Sequence, residues 1–297
     1  TYPILYNDDV NIPAVAKAFE VSLKEAEQYV PYGCGEYILN HRSFGTPSGV
    51  INLLKVLEIT LHNGVDPTTG KVVGPQTGGL ESFETFDDLM KAYKQQVESL
   101  VAVMAQQEEL EYKVAAEHSA NLYLSMLYDD CIARGKAIFS GGIEYLGGTL
   151  ETYGNVNTAD SLTAIKKLVF EEKEISPNEL LDALKADFVG YEDLQKKLLT
   201  APKYGNDDEF ADAMMREIHE HVCHTVRNQR EHTNLHSYLV VVINNSANTL
   251  MGRWTGASAD GRKSGRPMAN GNNPTGGQDK KGITAMLNSL VKDRKST

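Results

Sequence analysis

Tyr32-Gly33-Cys34-Gly35-Glu36 sets a thiol and a carboxylate two residues apart, between glycines that let a backbone turn sharply and come close to a substrate. A thiol serves as nucleophile, metal ligand or hydrogen-atom carrier, and a carboxylate beside it moves a proton on the same molecule. One loop thus carries the residue types for two chemical roles. The plainer reading makes Cys34 a small buried apolar residue and Glu36 a solvated loop acid. Downstream, Arg42-Ser43-Phe44-Gly45-Thr46-Pro47-Ser48-Gly49 leads into an amphipathic run, and Ala259-Asp260-Gly261-Arg262-Lys263 opens a Gly/Asn/Pro-rich segment.

The 297 residues, 41% of them hydrophobic, suffice to bury a sizeable core in a globular chain. No apolar run reaches the length of a membrane span and Thr1-Tyr2-Pro3-Ile4-Leu5 lacks the pattern of a signal peptide, so no membrane association and a cytoplasmic location are expected. Cys34, Cys131 and Cys223 are odd in number and far apart, which favours a reducing compartment over a disulfide framework. Cys131 closes a helical pattern and reads as structural. A net charge of -11 with scattered basic residues disfavours nucleic acid as a partner. Arg253, Arg262, Lys263 and Arg266 form the richest basic cluster; it reads as a surface loop with salt bridges, or as a hold for an anionic substrate.

Helical periodicity predicts helices over 50–62, 83–110 (capped by Ser82) and 114–134, then over 160–170, 178–187, 191–199 and 207–230. Ser176-Pro177-Asn178-Glu179 has the chemistry of a helix start. Ala137-Ile138-Phe139 is a candidate short strand, and 237–243, rich in β-branched residues without two-fold alternation, suits a strand buried on both faces. The outcome is one helix-rich α/β domain over 1–297 without a linker. His219-Glu220-His221-Val222-Cys223-His224 is the densest set of metal-ligand types, but its residues fall on different helix faces and an ordinary helix surface is expected, with no metal. Asn244, Asn245, Ser246, Thr249 and Trp254 follow the buried strand, where α/β folds place binding groups.

In ordered blocks the chain resembles the glycyl radical enzymes of the pyruvate formate-lyase-like superfamily: Asn7-Asp8, the Cys34 loop, 51–58 with Asn63-Gly64, Asp160-Ser161-Leu162 with 164–170, Pro202-Lys203-Tyr204-Gly205-Asn206-Asp207-Asp208, and Ala259-Asp260-Gly261-Arg262. The resemblance implies part of a ten-stranded α/β barrel. It implies that Cys34, as a thiyl, exchanges a hydrogen atom with a small polar substrate, and that Glu36 is the general base of a dehydratase or lyase eliminating water or another leaving group. Thr46 and Ser48 become substrate-binding candidates, with turn and cap roles as the alternative. The radical would reside on a glycine outside this chain, since no Arg-Val-Ser-Gly-Tyr-like stretch occurs here. A radical S-adenosylmethionine activating enzyme, a separate or missing glycyl radical domain, a homodimer and an anaerobic setting come with it, and no cofactor bound by this chain. Gly35 stands where that branch has a bulkier aliphatic residue, and the flanking glycines disfavour a formate C-acetyltransferase with its adjacent cysteines. A radical decarboxylase is the nearer alternative; a metal-binding or scaffold protein is the alternative of another class.

Overall fold

The computed structural model describes residues 6–33, 35–44, 47–242 and 245–293 and, of residues 47, 48 and 293, the backbone alone. The first elements are α1 (Asp8–Phe19) and α2 (Leu23–Ala26), then β1 (Tyr29–Tyr32), β2 (Glu36–Leu39), β3 (Ser43–Phe44) and β4 (Pro47–Asn52). Next come α3 (Leu53–Leu61), β5 (Val65–Asp66), β6 (Lys71–Val72) and the 33-residue α4 (Phe86–His118). After α5 (Leu122–Ser125) and α6 (Asp129–Arg134) lie β7 (Tyr145–Leu146), β8 (Gly148–Tyr153) and α7 (Asn155–Ile165). The remainder is α8 (Pro177–Lys185), α9 (Glu192–Thr200), α10 (Glu209–Asn228), β9 (Tyr238–Val242), α11 (Ala247–Arg253) and α12 (Ile283–Asp293).

Two compact units draw on interleaved stretches, the first on 1–50, 101–151 and 224–241, the second on 51–100, 152–223 and 242–297. β1 and β2 form an antiparallel hairpin, β3 runs parallel to β7, and the largest sheet among the described residues has the order β4-β8-β9. Its non-consecutive neighbours and intervening helices are the pattern of an α/β fold. In the first unit Val15, Phe19, Ala26, Leu39 and Tyr145 share one core cluster, and Cys131, Ile138 and Ile143 another. Cys131 is therefore structural; burial, then the neighbouring Asp130, pushes its thiol up.

In the second unit α3 packs on α7, all eleven of whose residues are buried. Helix α7 runs on into a π-helical stretch, Lys166–Glu171, a wide turn that often marks a constrained site.

Several expectations change. The helix predicted over 50–62 is a strand to Asn52 and a helix from Leu53, because the Asn52 carboxamide accepts the Lys55 N–H at 3.1 Å and caps α3. Helix α4 is capped by Thr85 rather than Ser82: Thr85 Oγ1 accepts the Asp88 N–H at 3.2 Å and Asp88 accepts the Thr85 N–H at 2.9 Å, a reciprocal box. Ser82 donates instead to the Gly79 carbonyl at 2.7 Å. The helix predicted over 114–134 breaks at Asn121, whose φ of 47° is left-handed, and residues 138–140 form a 3₁₀ turn rather than a strand. β9 is only partly enclosed, with Tyr238 and Val241 buried and its other residues half-buried. The Ser176 cap forms as expected, its hydroxyl accepting the Glu179 N–H at 3.2 Å with Pro177 in the first turn. Ser176→Ala is expected to cost about 1 kcal/mol, read as a lower urea midpoint at unchanged slope.

Candidate active site

The hairpin β1-β2 pairs Tyr29 with Leu39 and Tyr32 with Glu36, leaving residues 33–35 as its loop. Gly33 and Gly35 both have positive φ, 55° and 130°, and the Gly35 N–H closes the turn on the Tyr32 carbonyl at 3.2 Å. Cys34 lies outside the described residues. Glu36, the first residue of β2, is 2% exposed. Its carboxylate folds back over the loop, so that a Cβ added at Gly33 would stand 2.7 Å from Oε2. The solvated-acid reading of Glu36 is thereby excluded, and the carboxylate sits within its own cysteine loop.

Two layers hold the hairpin. On its tyrosine side, Tyr29 donates to Asp8 at 2.6 Å and Tyr37 to Asn11 at 3.0 Å, both on α1, with the two rings edge to face at 5.5 Å. Beyond its end, Ser43 Oγ accepts the Leu39 N–H at 2.7 Å across a turn in which His41 has a φ of 63°. Arg42 then reaches Glu25 and Glu144 while its guanidinium covers the Tyr145 ring at 5.1 Å. Hydrogen bonding to Glu144 raises the Arg42 pKa. Burial, then the hydrogen bond to Glu25, pushes the Tyr145 phenol up to about 12. Of the other candidates, Thr46 lies outside the described residues and so does the side chain of Ser48, which belongs to β4.

The second unit holds a buried polar cluster that the sequence reading did not single out as a site. Asp260 accepts from Ser258 at 2.6 Å and from Asn157 at 2.6 Å, and its own N–H donates to Ser161 at 3.1 Å. Arg262, expected in a surface loop or an anion site, is 8% exposed. Its guanidinium donates to the carbonyls of Thr255 at 3.3 Å, Lys263 at 3.1 Å and Arg266 at 2.8 Å, and to that of Gly256. Its Nε donates to Ser258 Oγ at 3.1 Å, so no donor is left over for an anion. The signal lay in Asn155-Val156-Asn157-Thr158-Ala159-Asp160-Ser161, whose polar run has no amphipathic period and so reads poorly as a surface helix.

Asp160 has no exposed surface and accepts the Tyr204 N–H at 2.8 Å. Burial pushes its carboxyl up to about 7, outweighing the pull of Lys203 and of the Tyr204 N–H, while Asp260 and Asp212 add to the push. Lys203 is likewise pulled down by burial, with Asp160 and Asp260 opposing. Among the described residues no group of three His, Cys, Asp or Glu side chains could hold a metal ion. His221 faces the Lys94 carbonyl at 3.4 Å and Glu98 at 3.6 Å. Trp254 is 59% exposed, and Asn245 is occupied by Tyr153 and by the Ala247 N–H at 2.8 Å.

The helix-rich α/β frame agrees with the resemblance to the glycyl radical enzymes that the sequence carries. The chain belongs to the pyruvate formate lyase-like family, whose model matches residues 1–252. It is 32% identical over 291 residues to trans-4-hydroxy-L-proline dehydratase of Clostridioides difficile, covering 98% of this chain and 37% of that protein. It is 34% identical over 301 residues to isethionate sulfite-lyase of Bilophila wadsworthia, covering 96% and 35%. The B12-independent glycerol dehydratase of Clostridium butyricum, solved with glycerol bound, superposes with a TM-score of 0.91 at 37% identity, covering 98% of this chain and 37% of that one. The chain thus spans little more than a third of the length of these relatives.

Gly33→Ala is expected to destabilise the chain by about 1–2 kcal/mol through its left-handed backbone, and to move the Glu36 carboxylate, as denaturant titration and a structure of the variant would read. For Asp160, a carboxyl pKa raised from 3.8 to about 7 means that the folded state keeps a proton the unfolded chain has released. Stability should therefore fall as pH rises across that interval, by up to about 1.4 kcal/mol per pH unit. Asp160→Asn should flatten that slope in thermal unfolding recorded across the interval.

Proposed function

We propose that this chain supplies the cysteine loop and general base of a glycyl radical dehydratase or lyase acting on a small polar substrate with a hydroxyl beside its leaving group. The observation that carries the reading is the Glu36 carboxylate, buried and folded over the loop that contains Cys34. The ten-stranded barrel, a homodimer, an activating radical S-adenosylmethionine enzyme and an anaerobic, cytoplasmic setting belong to the same proposal. Support comes from the relatives, a hydroxyproline dehydratase, an isethionate sulfite-lyase and a glycerol dehydratase, which eliminate water or sulfite from small molecules.

Cys34, as a thiyl, takes a hydrogen atom from the hydroxyl-bearing carbon and becomes a thiol. Glu36 accepts the hydroxyl proton, which places negative charge on that oxygen and drives the neighbouring group out with its electron pair. The product radical recovers a hydrogen atom from the Cys34 thiol, and the Glu36 proton passes to the leaving group, so atoms and electrons balance. A glycyl radical on a residue outside this chain would make Cys34 a thiyl by taking its thiol hydrogen. The loop is open on the Gly35 side: among the described residues nothing lies within 4 Å of a Cβ placed there. Hydrogen-atom transfer demands a dry site rather than an ionised thiol, and a buried Glu36 is consistent with one.

In the complete, activated assembly Cys34→Ser should abolish turnover. Glu36→Gln should keep the glycyl radical signal in electron paramagnetic resonance while losing on the order of a hundredfold or more in kcat. Turnover that survives Cys34→Ser would overturn the reading.

A further inference from the structure

A cavity of about 410 Å³ opens in the second unit between the apolar face of α3, the C-terminal end of α8 and the segment 255–259. That volume lies in the range of small-molecule sites. Its body is apolar, with Leu54, Leu57 and Leu61 on one wall and Leu184 on another. The wall at 255–259 is preorganised, because Arg262 holds the carbonyls of Thr255 and Gly256 and Asp260 fixes Ser258.

The polar groups at this cavity are mostly acceptors. Glu58 takes the Lys55 ammonium at 2.8 Å and the Gly256 N–H at 3.4 Å, both on Oε2, so Oε1 keeps its acceptor capacity. Glycine at 256 leaves room for that oxygen, since a Cβ there would lie 2.5 Å from Oε1. His62 Nδ1 lies 2.8 Å from the Glu58 carbonyl, which can only accept; Nδ1 therefore carries the hydrogen, and in the neutral ring Nε2 is a second acceptor. The hydroxyls of Thr255 and Ser258 donate elsewhere, to the Met251 carbonyl at 2.8 Å and to Asp260 at 2.6 Å. Lys55 is shared between Glu58 and Asp66, the latter at 2.6 Å, so one cation faces two carboxylates. Burial of Asp66 is outweighed by its bonds from Lys55, Thr69 and the Thr68 N–H, which hold it down at about 2. Lys185, exposed at the rim, is the one like charge among the lining residues that an incoming cation meets there, and solvent screens it.

We propose that this cavity binds a small aliphatic primary amine, with its hydrocarbon body against the leucines and its ammonium on Glu58 Oε1 and His62 Nε2. Three head groups on one body test it: hexylammonium, hexanol and hexanoate, titrated calorimetrically into the full-length protein. Hexylammonium is expected to bind at least tenfold more tightly than hexanol, and hexanoate not measurably. Glu58→Gln should erase the preference for the amine over the alcohol, leaving hexanol affinity within a few-fold. Leu57→Trp should abolish binding of both by filling the cavity, and Leu184→Trp, at a half-buried position, does the same job should Leu57→Trp fail to fold. Absence of hexylammonium binding to the native protein, equal binding of hexylammonium and hexanoate, or an unchanged preference in Glu58→Gln would each overturn the proposal.

Discussion

Asp260 is the constraint on which the second unit depends. The segment that follows α11 runs from Trp254 to Gly282 without regular structure, yet much of it is buried, and every buried N–H and C=O in it needs a partner that no helix or ladder supplies. Asp260 and Arg262 answer that need from within the segment, the carboxylate taking donors from Asn157 and Ser258 and the guanidinium taking four carbonyls. Helix α7 answers from outside, with Asn157 accepting the Ala269 N–H at 2.7 Å and Ser161 the Asp260 N–H. A buried helix with so many polar side chains is costly unless they find partners, and the irregular segment supplies partners to Asn155, Asn157 and Ser161. Neither would be stable in this form without the other.

The cysteine hairpin meets the same requirement by a different route. Glu36 brings a carboxylate out of solvent at the edge of a three-residue loop, and the contacts around it hold the hairpin in place. Tyr29 and Tyr37 tie the two strands to α1, while Arg42 joins the far end to Glu25 and Glu144. Arg42 is about a third exposed, so its ion pairs are screened and contribute modestly to stability. Its planar fork fixes the geometry of the contacts with Glu25 and Glu144 at that far end.

Local chemistry was legible wherever one or two residues decide the outcome. Ser176-Pro177 starts α8 because the cap hydroxyl and the fixed proline φ act within a single turn. The Gly-Cys-Gly-Glu loop was readable for the same reason, since glycine at positive φ is a local demand. Asn52 was hidden because Val50 and Ile51 continue the apolar spacing of α3 backwards, and periodicity cannot distinguish a β-branched strand end from a first helical turn. Thr85 lost to Ser82 because both are good caps by composition; the reciprocal bond from Asp88, three residues after Thr85, decides it. Asp160, Lys203 and Asp260 stayed apart on the page because they meet across 43 to 100 residues of sequence, and a charge reads as solvated until burial is known. Arg262 was grouped with Arg253 and Lys263 by proximity in sequence, while only its own side chain turns inward.

The two glycines of the loop are glycine for different reasons. Gly33 is constrained twice: its left-handed φ disfavours a side chain, and the Glu36 carboxylate occupies the space that a Cβ would need. Among the described residues nothing lies within 4 Å of a Cβ at Gly35, and its φ of 130° is what disfavours other residues there. The aliphatic residue expected in this branch at that position would therefore demand a different backbone rather than a different packing. Glycine there adds backbone freedom to the unfolded chain that folding must remove. In return, the position of Glu36, set beside Gly33 and by the hairpin register, does not depend on what residue 35 packs against.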